Sequence, residues 1–537
     1  MLKPRKVLAG AVAAVLLSSL AAGCSQDDKD SGAAASPAAS QPAVVQTASP
    51  SANPSASLKA SDKPIEATIH MHYFGNMVFD NNWPVFKKAA ELTNITLKGT
   101  ASKASTNSDE VYNLMVAGGE LPDIINFYDG KLKKLAEEGG LQPLDNLIDQ
   151  HAPHIKKFFE DNPVIKKAAL HTDGKLYIIP YVLDGVAQKG WFVRQDWLDK
   201  LGLKQPKTVD ELYTVLKAFK EKDPNGNGAA DEVPFFSRDS RYGIYELLAL
   251  WDTQMGLYTK DGKRLYGPLE PQFKTALTTL AQWYKEGLID KEIFTRGNNA
   301  REILLGDNKG GMMRDFFAST ANYNTTFKDK VPGINFVPIA PPASATGAIK
   351  EYTVRNPYPN GSTLSWGISA KTKYSVELIK YFDFWFTEEG RKLMNFGVEG
   401  LTYTMVNGKP QLNADILAKP SVVSELNKIG AQQQIGFQQD YEYERQWTNG
   451  IALKGIDEYT NNKYITPPAA PLTLSVEDRQ TNSKISGPLS TYVEETMQKW
   501  VLGAEPIEAN YDKFIARLKE LGAEQMLSIQ QAAAAKQ

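Results

Sequence analysis

From Ala67 onward the chain alternates two periodicities, short apolar runs of strand length and longer segments with apolar residues three and four apart. That alternation restricts it to an α/β fold. Residues 67–72 read as a strand, 82–92 as a helix with Trp83, Phe86 and Ala90 on one face, and 95–98 as the next strand, a β-α-β opening. A helix predicted over 108–118 feeds Leu121-Pro122-Asp123-Ile124-Ile125-Asn126, an apolar run that turns polar, as a buried parallel strand delivering a loop to a cleft does. Further strands are predicted at 176–179, 190–194, 311–313, 334–338 and 363–369, and amphipathic helices at 209–220, 271–286, 375–386 and 490–500. No self-similar repeat is visible, which excludes solenoids and propellers.

The N-terminal part obeys neither periodicity. Lys3, Arg5 and Lys6 precede an uncharged, largely apolar run over 7–22, the charged and hydrophobic regions of a secretory signal, and the run is too short to span a bilayer comfortably. It ends in Leu20-Ala21-Ala22-Gly23-Cys24, which resembles a lipobox, where a bacterial lipoprotein is acylated on cysteine and cleaved just before it, although Ala21 stands where Leu is usual. Cys24 is the one cysteine among 537 residues, so a disulfide framework or a cysteine metal pair is excluded. About forty residues of Ser, Ala, Pro, Gln and Asp follow, with few side chains to bury; they read as a disordered tether with a reach on the order of 35 Å. The expected layout is a signal peptide over 1–23, a tether over 24–63, and folded chain beyond.

Sixty Lys and Arg balance sixty-two Asp and Glu, a formal charge of −2, which argues against a surface built for nucleic acid. Catalytic motifs are missing. None of the five histidines is followed by Glu, and no Gly-x-Ser-x-Gly elbow or phosphate loop occurs, so the chain is expected not to be an enzyme. The alternative weighed against this is a secreted polysaccharide-active enzyme or a carbohydrate-adhesion module.

The sharpest local motif is Asp223-Pro224-Asn225-Gly226-Asn227-Gly228-Ala229-Ala230-Asp231-Glu232. Oxygen side chains stand at positions one, three, five and nine, with glycine at six for the tight turn, as in the first part of an EF-hand calcium loop. Position twelve is Pro234, so Glu232 is the expected bidentate carboxylate, with the Ala229 carbonyl in the seventh position. Asp223, Asn225, Asn227, Ala229, Asp231 and Glu232 form the predicted ligand set, and hard oxygen donors in an irregular shell favour Ca2+ over Mg2+. The loop is single and lacks paired EF-hand helices, so a structural clamp is expected.

Aromatic residues cluster after predicted strands and in polar loops: Tyr73, Phe74, Phe127, Tyr128, Trp251, Tyr358, Tyr441, Tyr443 and Trp447. Rings beside hydrogen-bonding groups suit sugars, which have C–H faces and hydroxyl rims, and Arg314, Asp315, Arg355 and Asn356 supply such groups. Core packing is an equal alternative for any one of these rings. The expected sugar contacts are Tyr73, Phe74, Tyr128, Trp251, Arg314, Arg355, Tyr358 and Trp447. The two arginines suit a uronate carboxylate and donate equally to neutral hydroxyls.

Several stretches together carry a family likeness: Gly190-Trp191-Phe192-Val193-Arg194-Gln195-Asp196-Trp197-Leu198-Asp199-Lys200-Leu201-Gly202, the Asp223 loop, Tyr266-Gly267-Pro268, Trp283-Tyr284-Lys285-Glu286-Gly287-Leu288-Ile289-Asp290, Glu388-Glu389-Gly390-Arg391-Lys392-Leu393-Met394 and Gly397-Val398-Glu399-Gly400-Leu401-Thr402-Tyr403. Over 64–530 the sequence resembles the extracellular solute-binding proteins (family 1) of carbohydrate ABC importers, of the Paenibacillus and Bacillus lipoprotein type, and the alginate-oligosaccharide-binding proteins. The resemblance implies a two-lobed periplasmic-binding-protein-like fold of type II, with a ligand cleft between lobes that close about a hinge. It implies lobe I over 64–189 and 364–420, lobe II over 190–363 and 421–537, and a structural calcium loop over 223–232. A monomer is expected, anchored through lipid on Cys24; the long tether and the lack of Asp after Cys24 lean toward the outer face of a Gram-positive membrane, with a periplasm as the alternative. The implied partners are an oligosaccharide and ABC permease subunits.

Overall fold

The computed structural model describes residues 58–238, 243–297, 299–352, 354–419 and 421–536. Cys24, the signal, nearly all of the tether and Pro420 lie outside these described residues. Two mixed sheets, both within the unit Ser57–Gln537, organise the chain.

In the first sheet, strand Ile65–Tyr73 takes Ile95–Gly99 and Ile124–Tyr128 as parallel neighbours, in registers that set Ile65 beside Ile95 and Ile69 beside Ile124. Leu364–Ile368, about 240 residues later by numbering, returns antiparallel to Ile124–Tyr128 and carries Ile179–Pro180 on its other edge. Both faces are covered, which is why these strands read as continuous apolar runs: Ile69, Ile124, Ile125 and Phe127 are fully buried. Trp366 lies flat on Phe382 at 4.1 Å, joining the sheet to helix Ser375–Phe384. The core here draws on residues from Ala60 to Val182 and from Leu364 to Tyr443.

In the second sheet, Lys189–Arg194 lies between Phe336–Ile339 and Gly310–Phe316, antiparallel to both, and Val233–Phe235 completes the far edge. The two-residue period of the strand sends Trp191 and Val193 into one apolar cluster and Phe192 into another on the opposite face. Gly190 is required by close packing, since a Cβ there would meet the Phe317 ring at 2.3 Å. Helices Val209–Glu221 and Pro271–Lys285 and the C-terminal helices Val476–Val501, Ile507–Glu520 and Ala523–Ala534 close this core.

Helix starts follow local chemistry. Thr208 accepts the Glu211 amide at 3.2 Å, with Asp210 and Glu211 in the first turn, and Asn107 caps Ser108–Gly118 through the Glu110 amide at 3.2 Å. One expectation fell well short: the helix predicted over 490–500 begins at Val476. Its first half is polar and contains Pro488, which reads as a break, yet Ser475 caps it through Asp478 at 3.0 Å and Arg479 ties it to Glu137 at 2.9 Å. Among the described residues no helix is long and apolar enough to cross a membrane.

Candidate functional site

A cavity of about 280 Å³ lies between the two sheets. One wall comes from the end of strand Ile65–Tyr73 and from the loop around Gln432–Gln439; the other comes from Phe316, Phe317 and Ala318 at the end of Gly310–Phe316. Strand ends are where parallel sheets present loops to ligands. Tyr73 donates to Gln433 Oε1 at 2.8 Å and accepts the Gln434 amide at 3.1 Å, while Phe74, in the left-handed region at φ 52°, is 59% exposed and meets the Tyr73 ring edge-on at 5.1 Å. Burial pushes the Tyr73 phenol well above its ordinary pKa, so it stays a neutral donor.

Behind these rings runs an amide network. Gln439 Nε2 donates to Gln432 Oε1 at 3.1 Å and to the Tyr443 hydroxyl at 3.2 Å, and Gln432 Nε2 in turn donates to Asn395 Oδ1 at 3.1 Å. Arg355, on the stretch between strands Phe336–Ile339 and Leu364–Ile368, is paired with Glu444, donates to the Asp184 carbonyl at 3.3 Å and rests 4.8 Å from the Tyr441 ring centre. Burial opposes its charge, but Glu444 outweighs that and holds the guanidinium above its ordinary pKa. Two buried polar atoms of this lining, Arg355 Nε and Gln439 Oε1, have no partner among the described residues. One is a donor and the other an acceptor, the two kinds of group that sugar hydroxyls match.

Of the residues expected to touch sugar, Tyr73, Phe74 and Arg355 line this cavity, and the other five do not. Trp251 is buried in the second core, edge-on to Trp283 at 5.8 Å. Arg314 is buried between Glu246, at 2.8 Å, and Glu351, so its charge is taken up by protein carboxylates. Asp315 likewise receives Arg238 at 2.7 Å and Arg301 at 3.0 Å. Tyr128 packs edge-on against Phe127 at 4.8 Å. Tyr358 lines a neighbouring cavity of about 510 Å³, and Trp447 packs against the first core with its indole nitrogen buried and unpartnered among the described residues. The lining residues not foreseen, Phe316, Phe317, Gln188, Gln432, Gln434 and Gln439, carry a faint signal: two rings directly after an apolar strand, and glutamines in the run Gln432-Gln433-Gln434.

The acidic loop connects helix Val209–Glu221 to strand Val233–Phe235. Asp223 Oδ1 accepts the amides of Gly226 at 2.9 Å and Asn227 at 3.1 Å, and Oδ2 accepts that of Gly228 at 2.9 Å. Asn225 and Asn227 both donate to Asp231 Oδ1, at 3.0 and 3.1 Å. Glu232 is 1% exposed, and its Oε2 meets no partner among the described residues. Burial raises its pKa, and the nearby charges of Asp223 and Asp231 raise it further. Among the described residues no three His, Cys, Asp or Glu side chains converge closely enough to form a metal cluster. Three of the six expected donor residues offer amide or carbonyl oxygens and three offer carboxylates, a set of hard oxygen donors that fits a hard cation, to which the orphaned Glu232 oxygen would add.

The sequence profile of the bacterial extracellular solute-binding protein family matches residues 81–392, and the chain belongs to that family. It is 43% identical to the alginate-binding protein AlgQ2, solved without calcium ion, with a TM-score of 0.74 over 89% of this chain and 99% of that one. Its fold is therefore the periplasmic-binding-protein-like one. The fructooligosaccharide ABC transporter substrate-binding protein FusA of Streptococcus pneumoniae is 33% identical over 42% of this chain and 43% of its own length. The polygalacturonan/rhamnogalacturonan-binding protein YtcQ of Bacillus subtilis is 27% identical over 59% of this chain and 63% of its own. The chain thus aligns with less than two thirds of either curated relative. The structure of FusA with kestose, at 22% identity and a TM-score of 0.67, shares the fold.

Proposed function

We propose that this protein captures an oligosaccharide in the cavity between its two sheets and passes it to the permease subunits of an ABC importer, without chemical change. The observation that carries the reading is the orphaned pair Arg355 Nε and Gln439 Oε1, set among Tyr73, Phe74, Phe316 and Phe317 in one cavity. Rings with an unmatched donor and acceptor are what a hydroxylated ring complements. AlgQ2, FusA and YtcQ, named as binders of alginate, of fructooligosaccharide and of polygalacturonan/rhamnogalacturonan, support a saccharide ligand.

In this reading the lobes are 64–189 with 364 onward, and 190–363 with the C-terminal part. Val422, Leu426, Phe437 and Tyr443 belong to the first core, which favours carrying the first lobe past 420 to about Tyr443 and beginning the last part of the second near Thr448. Asp223, Asn225, Asn227, the Ala229 carbonyl, Asp231 and Glu232 hold a structural Ca2+. Two relatives support that ion: AlgQ2 was solved in a form without calcium ion, and FusA as an EF-hand mutant. Lipid on Cys24 tethers a monomer to the outer membrane face. Titration with alginate, galacturonan and fructan oligosaccharides tests the function. A saturable change in tryptophan fluorescence, with the sugar recovered intact by chromatography, is expected; shortened products overturn the reading in favour of an enzyme.

A further inference from the structure

A third cavity, of about 460 Å³, shares no lining residue with the other two. Its walls come from distant parts of the chain: Asp129 to Lys133 at the start of helix Asp129–Glu137, the segment Lys167 to Thr172, the turn around Asn360, and Arg264 on strand Lys263–Tyr266. Ala469-Ala470-Pro471-Leu472-Thr473-Leu474, which is neither helix nor strand, runs along it and leads to Arg479 on the following helix.

The lining is cationic. Lys133, Lys167, Arg264 and Arg479 face one lining carboxylate, Asp129, whose oxygens accept the amides of Gly361 and Thr363, each at 3.0 Å. Arg479 is paired with Glu137 at 2.9 Å, and that same carboxylate meets His171 at 3.2 Å. Lys133 donates to the Ala168 carbonyl at 2.8 Å, while Arg264 donates to Thr259 at 3.0 Å and Gln530 at 3.2 Å; neither of these two cations, nor Lys167, forms an ion pair among the described residues. The Nε atoms of Arg264 and Arg479 are buried with no acceptor among the described residues. Asn356 and Asn360 direct their side-chain oxygens to backbone amides, of Tyr358 at 2.9 Å and Ser362 at 3.1 Å, which leaves their amide hydrogens as further donors.

We propose that this cavity is a second ligand site, taking a small molecule that carries a carboxylate or phosphate group. The lining offers donors and positive charge, and a partner that only accepts hydrogen bonds is an oxyanion. Burial holds Arg264 below its ordinary pKa, and it does the same to Lys133, which Asp129 partly offsets and Arg479 worsens. A bound anion would relieve both cations, because an unpaired charge removed from water is costly.

The test is isothermal titration of the purified full chain with glucuronate, with inorganic phosphate, and with glucose as the neutral control, at low and at physiological ionic strength. One-to-one binding of an anion, weakened by salt and absent for glucose, is expected. Arg264→Gln should weaken it about tenfold or more, in the range lost with one charge-assisted hydrogen bond. Lys167→Gln, at an exposed lysine, should weaken it about threefold and serves if the arginine variant fails to fold. Glucuronate alone binding identifies a sugar acid as the ligand class, and phosphate alone identifies a phosphorylated molecule. Failure of both anions to bind, or anion binding unchanged in both variants, overturns the proposal and leaves the oligosaccharide reading of the first cavity standing.

Discussion

Arg355 is paired with Glu444 through one terminal guanidinium nitrogen, while its Nε, buried in the same cavity, has no partner among the described residues. A side chain held by one contact and unmatched at another atom is fixed in place with a donor to spare. Glu444→Gln should cost about 3 kcal/mol of stability, because it leaves a buried guanidinium without its counter-charge. It should also weaken oligosaccharide binding about tenfold or more through loss of that orientation. Denaturant unfolding and a fluorescence titration of the same variant check both; unchanged binding would remove the pair from the site.

Trp447 packs against the first core and does not line the cavity. Trp447 is only partly buried, so Trp447→Ala is expected to lower the stability of the ligand-free protein by about 2 to 3 kcal/mol, at or below the lower end of the range for removing a fully buried tryptophan. A stacking platform would behave otherwise, with binding weakened by about 2 kcal/mol and stability little changed. Measuring both quantities on one variant separates the roles.

For the acidic loop, removing calcium with a chelator should lower the melting temperature, since an ion bound only by the folded loop stabilises by mass action. Asp223→Ala should abolish that response while sugar affinity stays within about twofold. Loss of sugar binding at unchanged stability would place the ion's role in ligand recognition instead.

His70 supplies a pH prediction. It is 1% exposed, its Nε2 has no partner among the described residues, and burial first, then the neighbouring His72, lower its pKa from 6.5 to about 4. The folded state therefore favours neutral His70. Its contribution is present above the unfolded pKa near 6.5 and is lost as pH falls through about 4, up to about 3 kcal/mol in all. His70→Phe, placed between Tyr112 and Phe127, each 6.2 Å away, should flatten stability measured between those pH values.

For the proposed anchor, Cys24→Ser should abolish labelling by a palmitate analogue in cells and release ligand-competent protein into the medium, since acyl chains on that thiol, and not the fold, would hold it at the membrane. Lipid retained in the variant would refute acylation at this cysteine.

Local patterns carried far in this chain. Helix 108–118 was legible to the residue because Asn107, the acidic first turn and Gly119 mark its ends, and helix 209–220 nearly so because Thr208 and Glu211 form a cap. The spacing of oxygens from Asp223 to Glu232 is a short-range property, and those side chains do gather in one loop. The N-terminal half of the helix Val476–Val501 was not legible, because its stabilising contact, Arg479 with Glu137, joins positions more than three hundred residues apart.

The sequence by itself determined the α/β class, the order of most elements and the acidic loop, because strand and helix periods, caps and turn residues act over a few neighbours. Tertiary structure alone decided which polar and aromatic side chains share a cavity. Arg314 and Arg355 both lie close to strand-like sequence, yet Glu246 and Glu351 surround the first, while the second meets Glu444 on one side and leaves Nε unmatched on the other. Those partners are set by how two sheets and the segments crossing between them pack, and a contact between residues far apart in the chain leaves no local period to read.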